Sequence, residues 1–292
     1  MTDAKRAIGL CLICVVSWSF IPVVAKFGQV NLDNGQLLFW SNLLSMSVVG
    51  IAIVLMRTGL RLTPENMVRA AVLGFLGCFV YYMLLYYAYA HESAIPVLVV
   101  QYSWPALIVV FSFALLGERI RMRHFAGLLL GCAAIVTTAT KGRIDALSIN
   151  DLSALSAVFV GAVCFALFSV LSKKFRMDPV KGPFWFFFFA TIYSAIFCMS
   201  NDGIGIPSKE SLIPVIANGA LINGLSYIFW VKALGLISAS RIAPLVFLAP
   251  VFATVWVSLF FSDEFHPAYF VGMTLCVLSG LLCVHEPAQR SS

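Results

Sequence analysis

The sequence predicts an all-α membrane protein with ten transmembrane helices, arranged as two inverted five-helix repeats. Composition, ten long apolar runs and an internal repeat lead to this prediction. Of the 292 residues, 61% are hydrophobic and only 11% are charged, and the mean hydropathy is +0.96. Soluble domains carry about 25% charged residues. The composition therefore excludes an ordinary soluble enzyme, a disordered chain and a nucleic-acid-binding protein, and makes the lipid bilayer the expected surroundings.

Ten apolar runs have roughly the length that crosses a bilayer, which is about 20 residues for a helix. The first run follows Lys5 and Arg6, as in a signal peptide, but it is too long and no small-residue cleavage site follows it. We therefore interpret it as a transmembrane helix. The ten runs are Ile8–Phe27, Gln36–Met56, Val68–Tyr89, Ala94–Leu116, His124–Thr140, Leu152–Ser172, Phe184–Met199, Leu212–Leu234, Ala239–Phe261 and Pro267–Val284.

The basic residues are divided unequally between the two ends of the predicted helices. If the N-terminus is cytoplasmic, fifteen Lys and Arg residues lie at inner ends and four lie at outer ends. Cytoplasmic ends of membrane proteins are enriched in Lys and Arg. The sequence therefore predicts cytoplasmic N- and C-termini, and the net charge of +6 reports orientation more than an anionic partner.

The second half of the chain resembles the first when the sequence is shifted by about 145 residues. Phe39-Trp40 then aligns with Phe184-Trp185, and the start Thr63-Pro-Glu aligns with Ser208-Lys-Glu, each a predicted helix N-cap. Further matched pairs are Gly74 and Gly219, Tyr82 and Tyr227, Pro105 and Pro250, and Gly127 and Gly272. We predict a first repeat over residues 1–145 and a second over residues 146–292.

Each repeat has five helices, which is an odd number of membrane crossings. The second repeat therefore enters the membrane from the side opposite to the first. Inverted repeats are typical of secondary transporters, whose substrate site lies near the membrane midplane where the repeats meet. This arrangement predicts a transporter that works by alternating access. A duplicated, non-transporting receptor or scaffold is the alternative from another class of protein.

The chain also resembles the ten-helix branch of the drug/metabolite transporter superfamily. The resemblance rests on the five-plus-five repeat, on Trp18 in the first helix with Lys26 at its end, and on Leu116-Gly117-Glu118-Arg119 after the fourth helix. The second repeat departs from the pattern, with Asp263-Glu264 where the first has Glu118.

A second, shorter resemblance concerns the substrate. The stretch Gln101-Tyr102-Ser103-Trp104-Pro105 is similar to the Asn-Tyr-x-Trp-Pro stretch of aromatic amino-acid exporters in that superfamily, with one amide in place of another. This resemblance implies export of aromatic and other amino acids across a bacterial inner membrane, without ATP. A multidrug exporter of the same fold remains the alternative.

Polar residues in the apolar runs are candidates for the transport pathway. No Asp or Glu lies in the middle of a run, which argues against a cation/proton antiporter built on an intramembrane acid. Amides do lie there, and burying an unpaired amide costs several kcal/mol. Asn42, Gln101, Asn218 and Asn223 must therefore face a wet cavity or bond to other helices. The second interpretation is strongest for Asn42 and Asn218.

Aromatic residues that share a helix face with amides complete the predicted site. Asn223, Tyr227 and Trp230 are spaced at i, i+4 and i+7. The polar tip of a buried Tyr or Trp needs a partner, so several tips at one depth would form an aromatic, hydrogen-bonding cavity. The predicted substrate-binding residues are Trp18, Asn42, Tyr82, Gln101, Tyr102, Trp104, Asn223, Tyr227 and Trp230.

Three prolines are predicted hinges. Pro105, Pro244 and Pro250 each lack an N–H and so free a carbonyl one turn earlier. Pro105 and Pro250 occupy matched positions of the two repeats, which favours gating over a static kink. Lys26 and Lys173, at helix ends, are interpreted as membrane anchors, with a gating role as the alternative.

The remaining expectations concern what the chain binds. We expect a small-molecule substrate, no covalent chemistry, no cofactor and no metal, because the eight cysteines lie inside apolar runs and the only tightly spaced pair, Cys11 and Cys14, has no His or carboxylate nearby. Small residues at Gly127/Gly131 and Gly272/Cys276/Gly280 indicate close helix packing first. A weak homodimer through that face is the second interpretation, so we predict a monomer or a weak homodimer.

Overall fold

The computed structural model describes residues 2–92, 94–143, 150–261 and 266–284, and these form a bundle of ten helical spans with no strand among them. Five spans have a break or a change of helix type. The spans in order are Asp3–Ser19 with Ile21–Gly28, Asn34–Leu55, Pro64–His91, Ala94–Gln101 with Trp104–Leu116, Met122–Ala139, Leu152–Lys174, Lys181–Met199, Lys209–Leu236, Ala239–Ile242 with Ala243–Phe247 and Leu248–Phe261, and Ala268–Val284.

Each predicted apolar run corresponds to one observed span. Within the described ranges, seven spans are long and apolar enough to cross a bilayer, and the fifth, ninth and tenth are shorter apolar helices. The prediction of an all-α membrane protein is therefore confirmed. Asp263 and Glu264, the counterparts of Glu118, lie outside the described residues.

The predicted N-caps of the third and eighth helices are both present. The Thr63 hydroxyl accepts a hydrogen bond from the Asn66 N–H, and the Ser208 hydroxyl accepts one from the Ser211 N–H, each at 3.3 Å. These bonds satisfy main-chain donors that a helix start otherwise leaves unpaired. Both helix starts are thus fixed by local chemistry that the sequence displays.

Interruptions in the long spans are related between the two halves of the chain. The third span is α-helical except for a π-helical segment, Phe75–Val80, and the eighth contains one at Asn218–Leu225. The fourth span breaks at Tyr102 and Ser103, and the ninth narrows to a 3₁₀-helix over Ala243–Phe247. The sequence analysis predicted the proline breaks but not the π-helical segments, which mark functional positions in many helices.

Close contacts between helices also occur in related pairs. Gly74 of the third helix lies directly on the main-chain oxygen of Phe186 in the seventh. Gly219 of the eighth helix lies on the main chain of the second, where an added β-carbon would come within 2.9 Å of the Ser41 oxygen. The two contacts are related by the repeat, because Gly219 lies 145 positions after Gly74 and Ser41 lies 145 positions before Phe186. A side chain at either glycine would force the helices apart.

The fifth and tenth helices pack on each other in the same reciprocal way. A β-carbon on Gly127 would lie 3.1 Å from the Ser279 oxygen, and one on Gly272 would lie 3.2 Å from the Ala134 oxygen. The small residues on these helices therefore serve close packing within the chain, which was the first of the two predicted roles. The predicted weak homodimer stays a prediction.

Candidate functional site

Three tryptophans from three different spans meet at the centre of the bundle. The ring centroids of Trp18 and Trp104 are 5.8 Å apart, those of Trp18 and Trp230 are 5.3 Å apart, and those of Trp104 and Trp230 are 5.8 Å apart. All three pairs have edge-to-face geometry, which aromatic rings prefer, and each pair contributes about 0.5–1.5 kcal/mol beyond its buried area. We refer to these three residues as the tryptophan cluster.

Phe165 of the sixth helix joins the tryptophan cluster, and the sequence analysis missed it. Its ring lies 4.8 Å from Trp104 and 5.9 Å from Trp18, with Tyr81 on another side at 4.7 Å. When the shift between the repeats is increased from 145 to 147 residues near the first helix, Lys26 aligns with Lys173 and Trp18 aligns with Phe165. Extending the repeat alignment by this shift would have identified the residue.

A small cavity lies beside the tryptophan cluster, and five predicted site residues line it. The cavity volume is about 10 Å³, which is room for about one water molecule. Its lining consists of the predicted residues Trp18, Tyr82, Gln101, Tyr102 and Trp104 and the unpredicted residues Ile21, Tyr81 and Phe165. The site is therefore closed in this conformation.

Gln101 is the polar group of this cavity, and two tyrosines hold it. Its Nε2 donates to the Tyr81 hydroxyl at 3.2 Å, and its Oε1 accepts from the Tyr89 hydroxyl at 2.9 Å. The helix ends at Gln101 because Pro105 cannot donate to the Gln101 carbonyl. The break thus places an oriented amide and an interrupted backbone at the same depth.

The polar tips of three predicted aromatics bond to neighbouring helices. The Trp18 indole donates to the Ile222 carbonyl at 3.1 Å and to the Ser226 hydroxyl at 2.9 Å. Trp230 donates to the Ser169 hydroxyl at 3.1 Å, and Tyr227 donates to the Gly77 carbonyl at 2.9 Å. Gly77 and Ile222 both belong to the π-helical segments. These segments therefore help to position Trp18, which lines the cavity, and Tyr227, which does not.

Three predicted amides lie outside the cavity lining. Asn42 donates to the Ser194 hydroxyl at 3.2 Å, so it links the second and seventh helices, and Asn218 similarly donates to Ser41 at 2.8 Å. Asn223 is fully buried in the eighth helix, and neither its amide nitrogen nor its oxygen has a hydrogen-bond partner among the described residues. A buried unpaired amide is costly, which makes Asn223 a group that another conformation or a substrate would satisfy.

The predicted hinge prolines occupy three different local settings. Pro105 starts the second segment of the fourth helix, Pro244 lies at the start of the 3₁₀ segment, and Pro250 lies in the segment after it. All three are buried. The first helix has a further break at Phe20, just before Pro22, that the sequence analysis did not predict.

At the predicted cytoplasmic end, Glu118 joins the fourth helix to the ninth. Its carboxylate accepts hydrogen bonds from the Ala239 N–H at 2.9 Å and from the Ser240 N–H and hydroxyl, and it pairs with Lys173 at 3.3 Å. Burial raises the pKa of this carboxyl, but these bonds and the Lys173 charge outweigh burial, so the pKa lies below its ordinary value. Lys173 is thus an interhelical partner, contrary to its interpretation as an anchor. We name Glu118, Lys173 and Ser240 the cytoplasmic latch.

Apolar helices of membrane length, broken at mid-depth around a closed aromatic cavity, define a multi-pass membrane transporter. The chain belongs to the EamA-like transporter family, whose model matches residues 5–140 and again residues 152–284. This family lies within the drug/metabolite transporter superfamily, as the resemblance predicted. The two matches fall on the two halves of the chain.

Curated relatives with a named function are exporters. The aromatic amino acid exporter YddG of Ancylobacter novellus is 26% identical over 62% of this chain and 64% of its own length, a little under two thirds of that protein. The pseudopaline exporter CntI of Pseudomonas aeruginosa is 23% identical over 89% of each chain. A crystal structure covering 95% of this chain and 96% of its own has a TM-score of 0.82 at 24% identity, which shows a shared fold. The chain is accordingly a transporter of the EamA-like family.

Proposed function

We propose that this protein exports aromatic amino acids, or similar small amphipathic metabolites, by alternating access between two inverted repeats, residues 1–145 and 146–292. The observation that carries the proposal is the tryptophan cluster with Phe165 around one cavity. The reciprocal contacts of Gly74 and Gly219 support the two-fold relation of the repeats. A shared cavity between two such halves is the arrangement that alternating access requires.

Ring contacts favour an aromatic substrate for an energetic reason. A cavity of about 10 Å³ cannot hold an indole, so binding must first separate rings such as Trp18 and Trp104. Each lost edge-to-face pair costs about 0.5–1.5 kcal/mol beyond area. A substrate ring placed between them restores these contacts, whereas an aliphatic substrate does not. Opening the site is therefore least costly for a ligand that carries a ring.

The polar groups at this depth suit a zwitterion or a neutral polar molecule. Gln101 offers both an amide donor and an acceptor at the cavity, and Asn223 carries an unpaired donor and acceptor nearby in the bundle. The spans have no carboxylate at mid-depth that would attract a lipophilic cation. These features favour the amino-acid exporter over the multidrug alternative. The name of the relative YddG agrees with this choice.

The cytoplasmic latch fits a transporter closed toward the cytoplasm. Glu118 and Lys173 join the fourth and sixth helices at one end, while the cavity lies deeper between the first and fourth. The excess of Lys and Arg at that end supports an orientation with both termini in the cytoplasm. The bacterial relatives support a location in a bacterial inner membrane. Loading from the cytoplasm then requires the latch to open, and release follows when the opposite end opens.

Transport assays on the reconstituted protein test the proposal. Proteoliposomes are loaded with radiolabelled tryptophan, and efflux is followed with and without a proton gradient. We expect efflux that excess phenylalanine competes and that a lipophilic cation, tetraphenylphosphonium, does not. Flux of the cation alone would establish the multidrug alternative, and absence of flux for every solute would establish the non-transporting one.

A further inference from the structure

A basic pocket lies beside the cytoplasmic latch, apart from the aromatic cavity. It has a volume of about 200 Å³ and lies where the loop after the fourth helix meets the starts of the fifth and ninth helices. Four arginines line it, Arg119, Arg121, Arg123 and Arg241, together with His124. The orientation rule explains an excess of arginines on this face, but it does not explain why four of them border one concave pocket.

His124 provides an independent indication that the pocket takes a ligand. Its side chain is 3% exposed and lines the pocket, and its Nδ1 accepts a hydrogen bond from the Arg121 N–H at 3.0 Å. A neutral imidazole that accepts at Nδ1 carries its proton on Nε2. This buried Nε2–H has no hydrogen-bond partner among the described residues. The ring therefore presents an unused donor in a pocket whose arginines are also donors.

The carboxylate in the pocket does not supply the missing acceptor. Glu118 already accepts three hydrogen bonds from Ala239 and Ser240 and pairs with Lys173. The serines at the rim are small and neutral. Among the described residues that line the pocket, no acceptor is left for the His124 donor. A compact anion with several oxygens would supply one, and guanidinium groups match phosphate in both charge and geometry.

We propose that this pocket binds a phosphate group through His124 Nε2 and the surrounding arginines. The lipid bilayer is the nearer source of such a group, because exposed apolar side chains border the pocket. Ile120, Met122 and Phe125 are 39%, 80% and 54% exposed, so acyl chains can lie against them while a headgroup enters the pocket. Basic pockets between helices at the cytoplasmic face are known to hold anionic headgroups.

A ligand in this pocket would bind across the same contact, between the end of the fourth helix and the start of the ninth, that the cytoplasmic latch stabilises. Arg119 and Arg121 belong to the loop after the fourth helix, whereas Arg241 belongs to the start of the ninth. One phosphate bound by arginines of both elements adds attraction across the contact that Glu118 also stabilises. Anionic lipid should therefore stabilise the closed conformation.

Native mass spectrometry and thermal denaturation of the purified full-length protein test the proposal. The ligands are phosphatidylglycerol, phosphatidylcholine and inorganic phosphate. Arg241→Gln and Arg121→Gln each remove a charge from the pocket, and Arg121 is exposed, so its replacement should leave folding unaffected. Arg61→Gln removes an exposed charge on the same face outside the pocket. We expect one retained phosphatidylglycerol, with retention falling at least about tenfold in both pocket variants but not in Arg61→Gln.

Each arm has a defined consequence. Stabilisation by inorganic phosphate as strong as that by phosphatidylglycerol, and lost in the pocket variants, supports the phosphate site with a soluble ligand. Equal losses in Arg61→Gln and Arg241→Gln would show unspecific attraction to a basic face and overturn the proposal. Equal retention of phosphatidylcholine and phosphatidylglycerol would overturn it as well.

Discussion

Trp40 and Trp185 make the same hydrogen bond in the two halves of the molecule. The Trp185 indole donates to the Leu60 carbonyl at 2.9 Å, and the Trp40 indole donates to the Gly205 carbonyl at 2.7 Å. Trp185 lies 145 positions after Trp40, and Gly205 lies 145 positions after Leu60. The donor is in the second half in one bond and in the first half in the other. Such an exchange is what a two-fold axis between equivalent halves produces.

The inverted arrangement predicts that Lys5 and Arg143 lie on opposite sides of the membrane. Each is replaced by cysteine in a background whose native cysteines are serine, and intact cells are treated with an impermeant maleimide. We expect labelling at position 143 and protection at position 5, because five helices separate the two sites. Labelling of both positions from one side would remove the inverted repeat and the central pocket that depends on it.

Trp104→Phe should impair tryptophan transport at least about tenfold with expression unchanged. The substitution keeps a ring but loses the indole that contacts Trp18, Phe165 and Trp230, and about 1.4 kcal/mol corresponds to a tenfold change. The matched control is Trp185→Phe, near the start of the seventh helix. Initial efflux rates in proteoliposomes measure the effect, and an equal loss in the control would show that Trp104 acts only in packing.

Pro105→Ala should slow turnover more than it weakens binding. An alanine restores the N–H that can bond the Gln101 carbonyl, so the fourth helix becomes more continuous at the point where it now breaks. Maximal efflux rate and half-saturating tryptophan concentration separate the two effects. If both values equal those of the unmodified protein, the break has only an architectural role.

Gly74→Ala and Gly219→Ala should each destabilise the protein, by about 1–3 kcal/mol. The added methyl at position 219 would come within 2.5 Å of the Leu44 β-carbon, and the one at position 74 would meet the Phe186 main chain. Gly235→Ala is the control in the eighth helix, because a β-carbon there contacts nothing within 4 Å. Thermal denaturation in detergent compares the three, and a shift of equal size in the control contradicts the close-packing interpretation.

The cytoplasmic latch should stay closed from about pH 8 to about pH 5 and weaken only in stronger acid. The pKa of Glu118 lies below its ordinary value. The ionised carboxylate therefore stabilises the closed state fully above the ordinary pKa, and this stabilisation is lost as the pH falls through the lowered pKa. Glu118→Gln should open the latch at neutral pH. Maleimide labelling of Ser238→Cys measures opening, and Asp178→Asn, a helix cap on the same face, is the control.

Much of the fold follows from local properties of the sequence. The number of spans follows from apolar length. The predicted orientation depends on the sidedness of Lys and Arg, and the predicted repeat on matched Pro, Gly and Trp positions, and none of these requires knowledge of contacts. The caps at Thr63 and Ser208 are equally local, because an N-cap bond spans only three residues. Five of the nine predicted site residues line one cavity. They could be predicted because prolines and the polar tips of buried side chains are visible in the sequence.

Only the tertiary structure decided which side chains meet. The repeat alignment can single out Phe165, but its contacts with Trp18 and Trp104 follow only from the packing of the sixth helix against the first and fourth. The π-helical segments arise where a helix shifts its register to fit its neighbours, and local propensity does not encode that shift. The pairing of Lys173 with Glu118 joins residues 55 positions apart. The sequence by itself determined what each helix carries, and helix packing determined which of those groups face one another.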